Sequence, residues 1–300
     1  MFLIFLIVVA LAFKGYYPQA VTSFGMVKDN AVLIPAYYYV ARSYYELNEL
    51  NKAMNYYKLS IANSKDHYLK SLSLFYLARS YQRNEDISNS IKVFDDFMRF
   101  YPRHSLISEA KYYSGINTYN NYQYNEARLY FEQYLVGYPD NARSMDVKYY
   151  AGMCNFYLGH LWDSLKYLHQ TALHSKDEII IEESLFFIAK MYFKLNQYDN
   201  SLKYLAKLHD RRLSKISKTQ IYLLTADAYL KLTNYAGALK FYEKAEITKD
   251  KRWDLNIKAG IIIAAHKLGQ YTKVDQQIQS IAVDPANALV LEKLKKIIAN

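Results

Sequence analysis

Small residues return along this chain at a fixed interval of 37 positions. Ala41, Ala78, Gly115, Gly152, Ala189 and Ala226 form one column, and Ala53, Ser90, Ala127, Ser164, Ser201 and Ala238 form a second. A self-similar period of about 20–50 residues is the mark of stacked repeat units, each too small to bury a core without its neighbours. Such a chain grows by addition of units, so its length sets a number of repeats and not a number of separate domains.

The unit itself is legible in Thr219–Asp250. Leu223, Ala226, Tyr229 and Leu230 recur at three- and four-residue steps, which is one face of a helix. Thr233-Asn234 interrupts the pattern, and Tyr235, Ala238, Leu239, Tyr242 and Ala245 resume it as a second helix. A short turn between two amphipathic helices leaves them antiparallel. The small columns fit the closest crossing of such a pair, where a larger side chain would force the axes apart. Aromatic columns fill the space beside it: Tyr44, Tyr81, Tyr192 and Tyr229 on first helices, Tyr57, Phe94, Phe131 and Tyr242 on second helices. With only 9 Gly and 5 Pro, there is little room for the turns of a sheet protein, and the fold class expected is all-α.

These residues resemble the tetratricopeptide repeat: small, aromatic three later, small nine beyond, aromatic four further, and a closing proline. Pro102 and Pro139 stand at that closing position, each after a tyrosine. Six units over residues 34–252 keep the register, and a seventh, about 255–288, is shifted one residue earlier with Leu268-Gly269-Gln270-Tyr271 at its turn. Residues 289–300 read as a capping helix, which makes 34–288 the solenoid. The resemblance implies a right-handed superhelical solenoid of antiparallel hairpins that binds a peptide or partner protein in its concave groove, without catalysis. The long period and the runs Phe94-Phe97-Tyr101-Pro102 and Phe131-Tyr134-Tyr138-Pro139 are similar in texture to repeats of bacterial envelope proteins. They point to a role in envelope assembly.

The groove has a candidate lining. On each first helix, positions i, i+4 and i+7 give Tyr38, Arg42, Tyr45, then Phe75, Arg79, Gln82, then Tyr112, Ile116, Tyr119. The stripe continues as Tyr149, Met153, Phe156 and as Phe186, Lys190, Phe193. Two readings compete: a ladder of flat contact surfaces for a ligand, or the shoulder of the core between neighbouring first helices. Arg42, Arg79 and Lys190 favour recognition, because cations are costly to bury. They ask for a ligand with apolar anchors and some negative charge. The arginines stand where a carboxylate clamp for chaperone tails would need asparagine and lysine, so that specificity is disfavoured.

Chemistry is otherwise sparse. Seven histidines are dispersed, and His169 and His174 stand five apart, off the four-residue step of a helical zinc pair. No phosphate loop or nucleophile elbow occurs. Cys154, the single cysteine, adjoins a packing column and reads as a buried filler. Asp95-Asp96 and Glu182-Glu183 read as solvated or helix-start carboxylates. No cofactor, metal or catalytic residue is expected. A net charge of +10 comes from scattered residues, densest at His209, Arg211, Arg212, Lys215 and Lys218 and at Lys249, Lys251 and Arg252. These fit solvated turns, and no nucleic-acid partner is expected. The alternative class is a sensory or regulatory repeat region that works with a separate signalling or catalytic protein.

The N-terminus carries two readings. Residues 1–13 hold no polar side chain and are too short for a comfortable membrane span, but match a signal-peptide core or anchor. That reading gives membrane association and an envelope location, periplasmic or membrane-anchored. Yet Gly15-Tyr16-Tyr17, Ala20, Phe24 and Val27 stand 33 residues before Asn48-Glu49-Leu50, Ala53, Tyr57 and Ser60. Residues 14–33 then form the second helix of a partial repeat, and 1–13 its first.

Overall fold

In a computed structural model, the backbone is described for residues 2–26, 30–209, 211 and 216–299, and side chains outside 2–5, 13, 30–33 and 299 of these. Val27, Arg212 and Lys215, named above, lie outside the described residues. Every regular element among the described residues is helical.

Two compact units divide at Leu158/Gly159. The first contains α1 (Phe2–Phe13), α2 (Tyr17–Phe24), α3 (Asn30–Glu46), α4 (Leu50–Asn63), α5 (His67–Arg83) and α6 (Ile87–Phe100). It continues with α7 (Ile107–Asn120), α8 (Tyr124–Gly137) and α9 (Ser144–Tyr157). Within it α3 pairs with α4, α5 with α6 and α7 with α8, and each pair packs on the next through α4–α5, α6–α7 and α8–α9. The second unit contains α10 (Leu161–His174), α11 (Glu178–Lys194), α12 (Tyr198–His209), α13 (Lys218–Lys231) and α14 (Tyr235–Ile247). It ends with α15 (Asp254–Lys267), α16 (Tyr271–Ala282) and α17 (Ala288–Ala299). There α11–α12, α13–α14 and α15–α16 are the tight pairs, and α17 packs back on α15 and α16.

Both small columns are buried along their whole length. Their serines show how the two helices of a pair are tied. Ser90 Oγ donates to the Ala78 carbonyl at 2.8 Å, and Ser201 Oγ donates to the Ala189 carbonyl at 2.9 Å. One column therefore hydrogen-bonds the other across the crossing. At Gly115 the approach is closer still, since a Cβ there would lie 2.5 Å from the Phe131 ring. Only glycine admits that ring.

The turns share a device the sequence conceals. Asn48, Glu85, Tyr122, Gly159, Asn196 and Thr233 all have positive φ, and they too stand 37 residues apart. Gly269 follows one residue early, and Gly15 plays the same part between α1 and α2. At all of these but Gly159 the next N–H closes the helix on a carbonyl five residues back, as in Asn234 N to Tyr229 O at 2.9 Å and Tyr16 N to Leu11 O at 2.8 Å. This is the left-handed helix stop that glycine usually supplies. A branched threonine pays about 1–2 kcal/mol to sit there. Thr233→Gly is expected to recover about 1 kcal/mol, read as a raised urea midpoint, and an unchanged or lowered midpoint would contradict the strain.

The N-terminal pair closes in the same way. Val8 of α1, Phe24 of α2 and Ala36 and Val40 of α3 share one buried cluster. On the outer side of α1, Leu6 and Ile7 are exposed. No helix among the described residues is long and apolar enough to cross a membrane.

Candidate functional site

Aromatic stacking between successive helix pairs organises unit 1. Tyr57 of α4 stacks on Tyr76 of α5 at a centroid distance of 6.2 Å and 16°. Phe94 of α6 stacks on Tyr113 of α7 at 6.1 Å and 14°, and Phe131 of α8 on Tyr150 of α9 at 5.7 Å and 19°. Each ring of a second helix thus meets a ring of the following first helix. The accepting rings Tyr76, Tyr113 and Tyr150 lie one residue beyond the proposed groove stripe. They form a 37-residue column with Tyr39 and Phe187 that the sequence contains and the stripe overlooks.

The stripe itself divides. Tyr38, Tyr45, Phe75, Tyr149, Phe156 and Phe186 are buried, each no more than 8% exposed. Arg42, Arg79, Tyr112, Tyr119, Lys190 and Phe193 are half-buried. Neighbouring first helices account for the difference, because α3 packs on α5, α7 on α9 and α11 on α13 and they cover the flanks of the stripe. Tyr119 lies in a ring cluster with Tyr124, Tyr150 and Tyr157, and Phe193 packs edge-on against Tyr198 at 5.3 Å. Gln82 is used internally: it donates to Asn117, which donates to Ser90.

Arg42 and Arg79 gather with the exposed Arg83 in a cleft of about 400 Å³ between α3, α5 and α7, whereas Lys190 lies in unit 2. Arg42 rests over Tyr76 at 4.1 Å, Arg79 over Tyr113 at 3.5 Å and Arg83 over Tyr45 at 4.5 Å. The rings that receive Arg42 and Arg79 are those already stacked on Tyr57 and Phe94, so the guanidinium planes inherit the repeat register. Two carboxylates share the cleft, Glu46 and Glu109. Glu46 is taken by Arg42 at 2.8 Å from Nε, and Glu109 by Arg143 at 2.9 Å. Arg143 in turn covers Tyr112, at 4.8 Å. Neither Arg79 nor Arg83 has a carboxylate at ion-pair distance among the described residues. Arg83 instead donates to the Tyr45 carbonyl at 3.0 Å.

Arg79 is the most buried member without an ion pair. Its Nε is buried without a hydrogen-bond partner. Burial, with a smaller push from Arg83, holds Arg79 below the usual guanidinium range, although the Tyr45 side chain and Glu109 oppose the shift. A guanidinium stays charged at neutral pH regardless. The shift is chiefly the cost of desolvation, which Tyr45 and Glu109 offset only in part. Arg83 and Tyr113, absent from the predicted site, are as much part of this arrangement as Arg42 and Arg79.

Other candidate groups are spent on packing. Cys154 is fully buried, and burial pushes its thiol up to about 12. His169 sits 3.3 Å from each of the Tyr192 and Tyr204 hydroxyls. Asp95 accepts from the Tyr130 hydroxyl at 2.7 Å. Glu182 corrects the solvated position expected for it, since it is buried on the inner side of α11. His209 stacks on Phe241 at 5.0 Å, Arg211 pairs with Glu178 at 2.7 Å, and Arg252 pairs with Asp250. No cluster of metal-ligating side chains occurs among the described residues.

Comparison with known proteins gives the following. A tetratricopeptide-repeat family model matches residues 35–66 and 72–104. No curated protein sequence matches the chain. Among solved structures, a tetratricopeptide-repeat protein from Parabacteroides merdae is similar at 15% identity and a TM-score of 0.53, over 87% of this chain and 98% of that one. YrrB, described as a tetratricopeptide-repeat protein with an unusual peptide-binding site, is similar at 18% identity and 0.53, over 68% of this chain and 94% of its own. MamA from Desulfovibrio magneticus, from residue 41 onward, is similar at 16% and 0.50, over 58% and 92%. At these identities the likeness shows the fold.

Proposed function

We propose, from a chain that is a tetratricopeptide-repeat protein, that it acts as a non-catalytic scaffold binding an acidic peptide segment of a partner protein. The contact surface is the arginine–tyrosine cleft of unit 1, with Tyr112 and Tyr119 on the following first helix as apolar flanks. The observation that carries this reading is Arg79, a half-buried guanidinium whose Nε has no hydrogen-bond partner and whose neighbouring carboxylate, Glu109, is bonded to Arg143. It lies over the Tyr113 ring at 3.5 Å, and a guanidinium positioned by a ring suits bidentate capture of a carboxylate. The peptide-binding site named for YrrB supports the class of activity. Panning a random peptide library on the full chain is the test. Sequences rich in Asp and Glu are expected to be enriched on the natural protein and lost on Arg79→Gln; enrichment without acidic bias would reject the cleft.

An envelope setting belongs to the same proposal. The Tyr-Pro repeat endings and the apolar outer side of α1, with Leu6 and Ile7 exposed, support it. A reporter fused after Asn30 is expected to leave the cytoplasm or to sediment with membranes. A reporter that stays soluble in the cytoplasm rejects the setting and leaves the scaffold reading intact.

A further inference from the structure

Continued by one period past Phe186, Lys190 and Phe193, the groove stripe becomes Leu223, Asp227 and Leu230. The central position, basic at Arg42, Arg79 and Lys190, turns acidic. In unit 2 this row opens into a cavity of about 400 Å³ between α11, α13 and α15. Its lining is largely hydrocarbon, from Leu223, Leu230 and Ile263, with the rings of Phe186 and Trp253 and the carboxylate of Asp227 among them.

Asp227 is partly compensated. Tyr242 of α14 donates its hydroxyl to Asp227 Oδ1 at 2.6 Å. The reach depends on Gly260, where a Cβ would lie 2.3 Å from the Tyr242 ring. Burial raises the carboxyl above its usual range, against the Tyr242 hydrogen bond and Lys231. A carboxylate has acceptor sites for about four hydrogen bonds, so one hydroxyl leaves most of its capacity open. A charge held in an apolar chamber with spare acceptor capacity gains most from a cationic donor. Aromatic walls narrow the choice, because a guanidinium stacks on rings while forking two N–H groups toward a carboxylate. The competing charge is Lys190, which shares the lining. Its Nζ lies 5.6 Å from the Phe186 ring centre and 5.2 Å from that of Phe187, so these faces already accept a cation.

We propose that this pocket receives an arginine side chain presented by a partner peptide, its guanidinium on Asp227 and its methylenes against Leu223, Leu230 and Ile263. The proposal rests on the scaffold reading for the source of the ligand, a peptide. It requires a partner that carries an arginine as well as the acidic segment.

Trp253 reports on the site. The chain has 2 tryptophans, and Trp162 is exposed, so Trp162→Phe leaves one indole at the pocket wall. The probe is a blocked Leu-Arg-Leu tripeptide, titrated beside its citrulline and norleucine counterparts. Citrulline keeps the shape and removes the charge. The arginine peptide is expected to shift Trp253 emission and to bind about 10-fold more tightly than the citrulline peptide, the scale of a hydrogen bond to a charged group. Asp227→Asn, which can still accept from Tyr242, is expected to erase that preference. Ala259→Phe fills the cavity while retaining both Asp227 and Tyr242, and is expected to abolish binding. Equal affinity for citrulline, a preference that survives Asp227→Asn, or binding that survives Ala259→Phe overturns the proposal. So does the absence of binding while acidic peptides still bind through Arg79, which leaves the scaffold reading standing. Loss of acidic-peptide binding with arginine binding retained has the opposite meaning.

Discussion

Phe131→Ala is expected to cost unit 1 about 3–5 kcal/mol, the range for truncating a buried phenylalanine. The ring is fully buried and lies against Gly115, which has no side chain to move into the vacated space. It also stacks on Tyr150, so one substitution opens both the α7–α8 crossing and the contact with α9. In a stack of repeats, stability is roughly a sum of unit terms and nearest-neighbour interfaces. A lost interface therefore lowers cooperativity as well as the midpoint. Urea unfolding followed by circular dichroism should show an earlier and broader transition. A shift worth less than about 1 kcal/mol with an unchanged slope would mean that the ring is not the anchor of that interface.

The helices and their pairing were legible because they follow from local periodicity. Two small columns at 37-residue spacing predict where helices cross, and Ser90 to Ala78 shows the crossing in atomic detail. The turn column was not legible, since its members are Asn, Glu, Tyr, Gly and Thr. The common factor there is a backbone conformation imposed by closure of the preceding helix, and side-chain identity carries little of it.

The site was half legible. Periodicity along one helix selects a stripe, but burial depends on the helices to either side. Tyr38, Tyr45 and Phe75 therefore went to the core while Arg42 and Arg79 on the same stripe stayed half-buried. The rings that position those arginines, Tyr76 and Tyr113, come from the next repeat, at a sequence distance of 34. Comparison of residues within one unit cannot find such partners. Comparison of whole columns could have: the aromatic column through Tyr39, Tyr76, Tyr113, Tyr150 and Phe187, and the step from Lys190 to Asp227, are both written at the repeat period.

Arg79→Gln is expected to weaken binding of an acidic peptide by about 30-fold or more, the effect of truncating one partner of a desolvated, hydrogen-bonded charge pair. The free protein should hardly notice. Its stacking on Tyr113 contributes about 0.5–1 kcal/mol at a partly exposed site, and removing a cation that lacks a carboxylate offsets that loss. Arg79→Lys separates charge from geometry. Lysine keeps the positive charge but cannot fork two hydrogen bonds in one plane or stack that plane on Tyr113, so most of the loss should persist. Tyr113→Leu should weaken binding in the same direction by freeing the guanidinium. Titration calorimetry at two salt concentrations reads all three variants. The natural protein should lose affinity as salt rises, and Arg79→Gln should lose less, because one of the screened charges is gone. If Arg79→Lys binds as well as the natural protein, the cleft works as a diffuse positive field. If Arg79→Gln binds as well, the acidic ligand lies elsewhere on the chain.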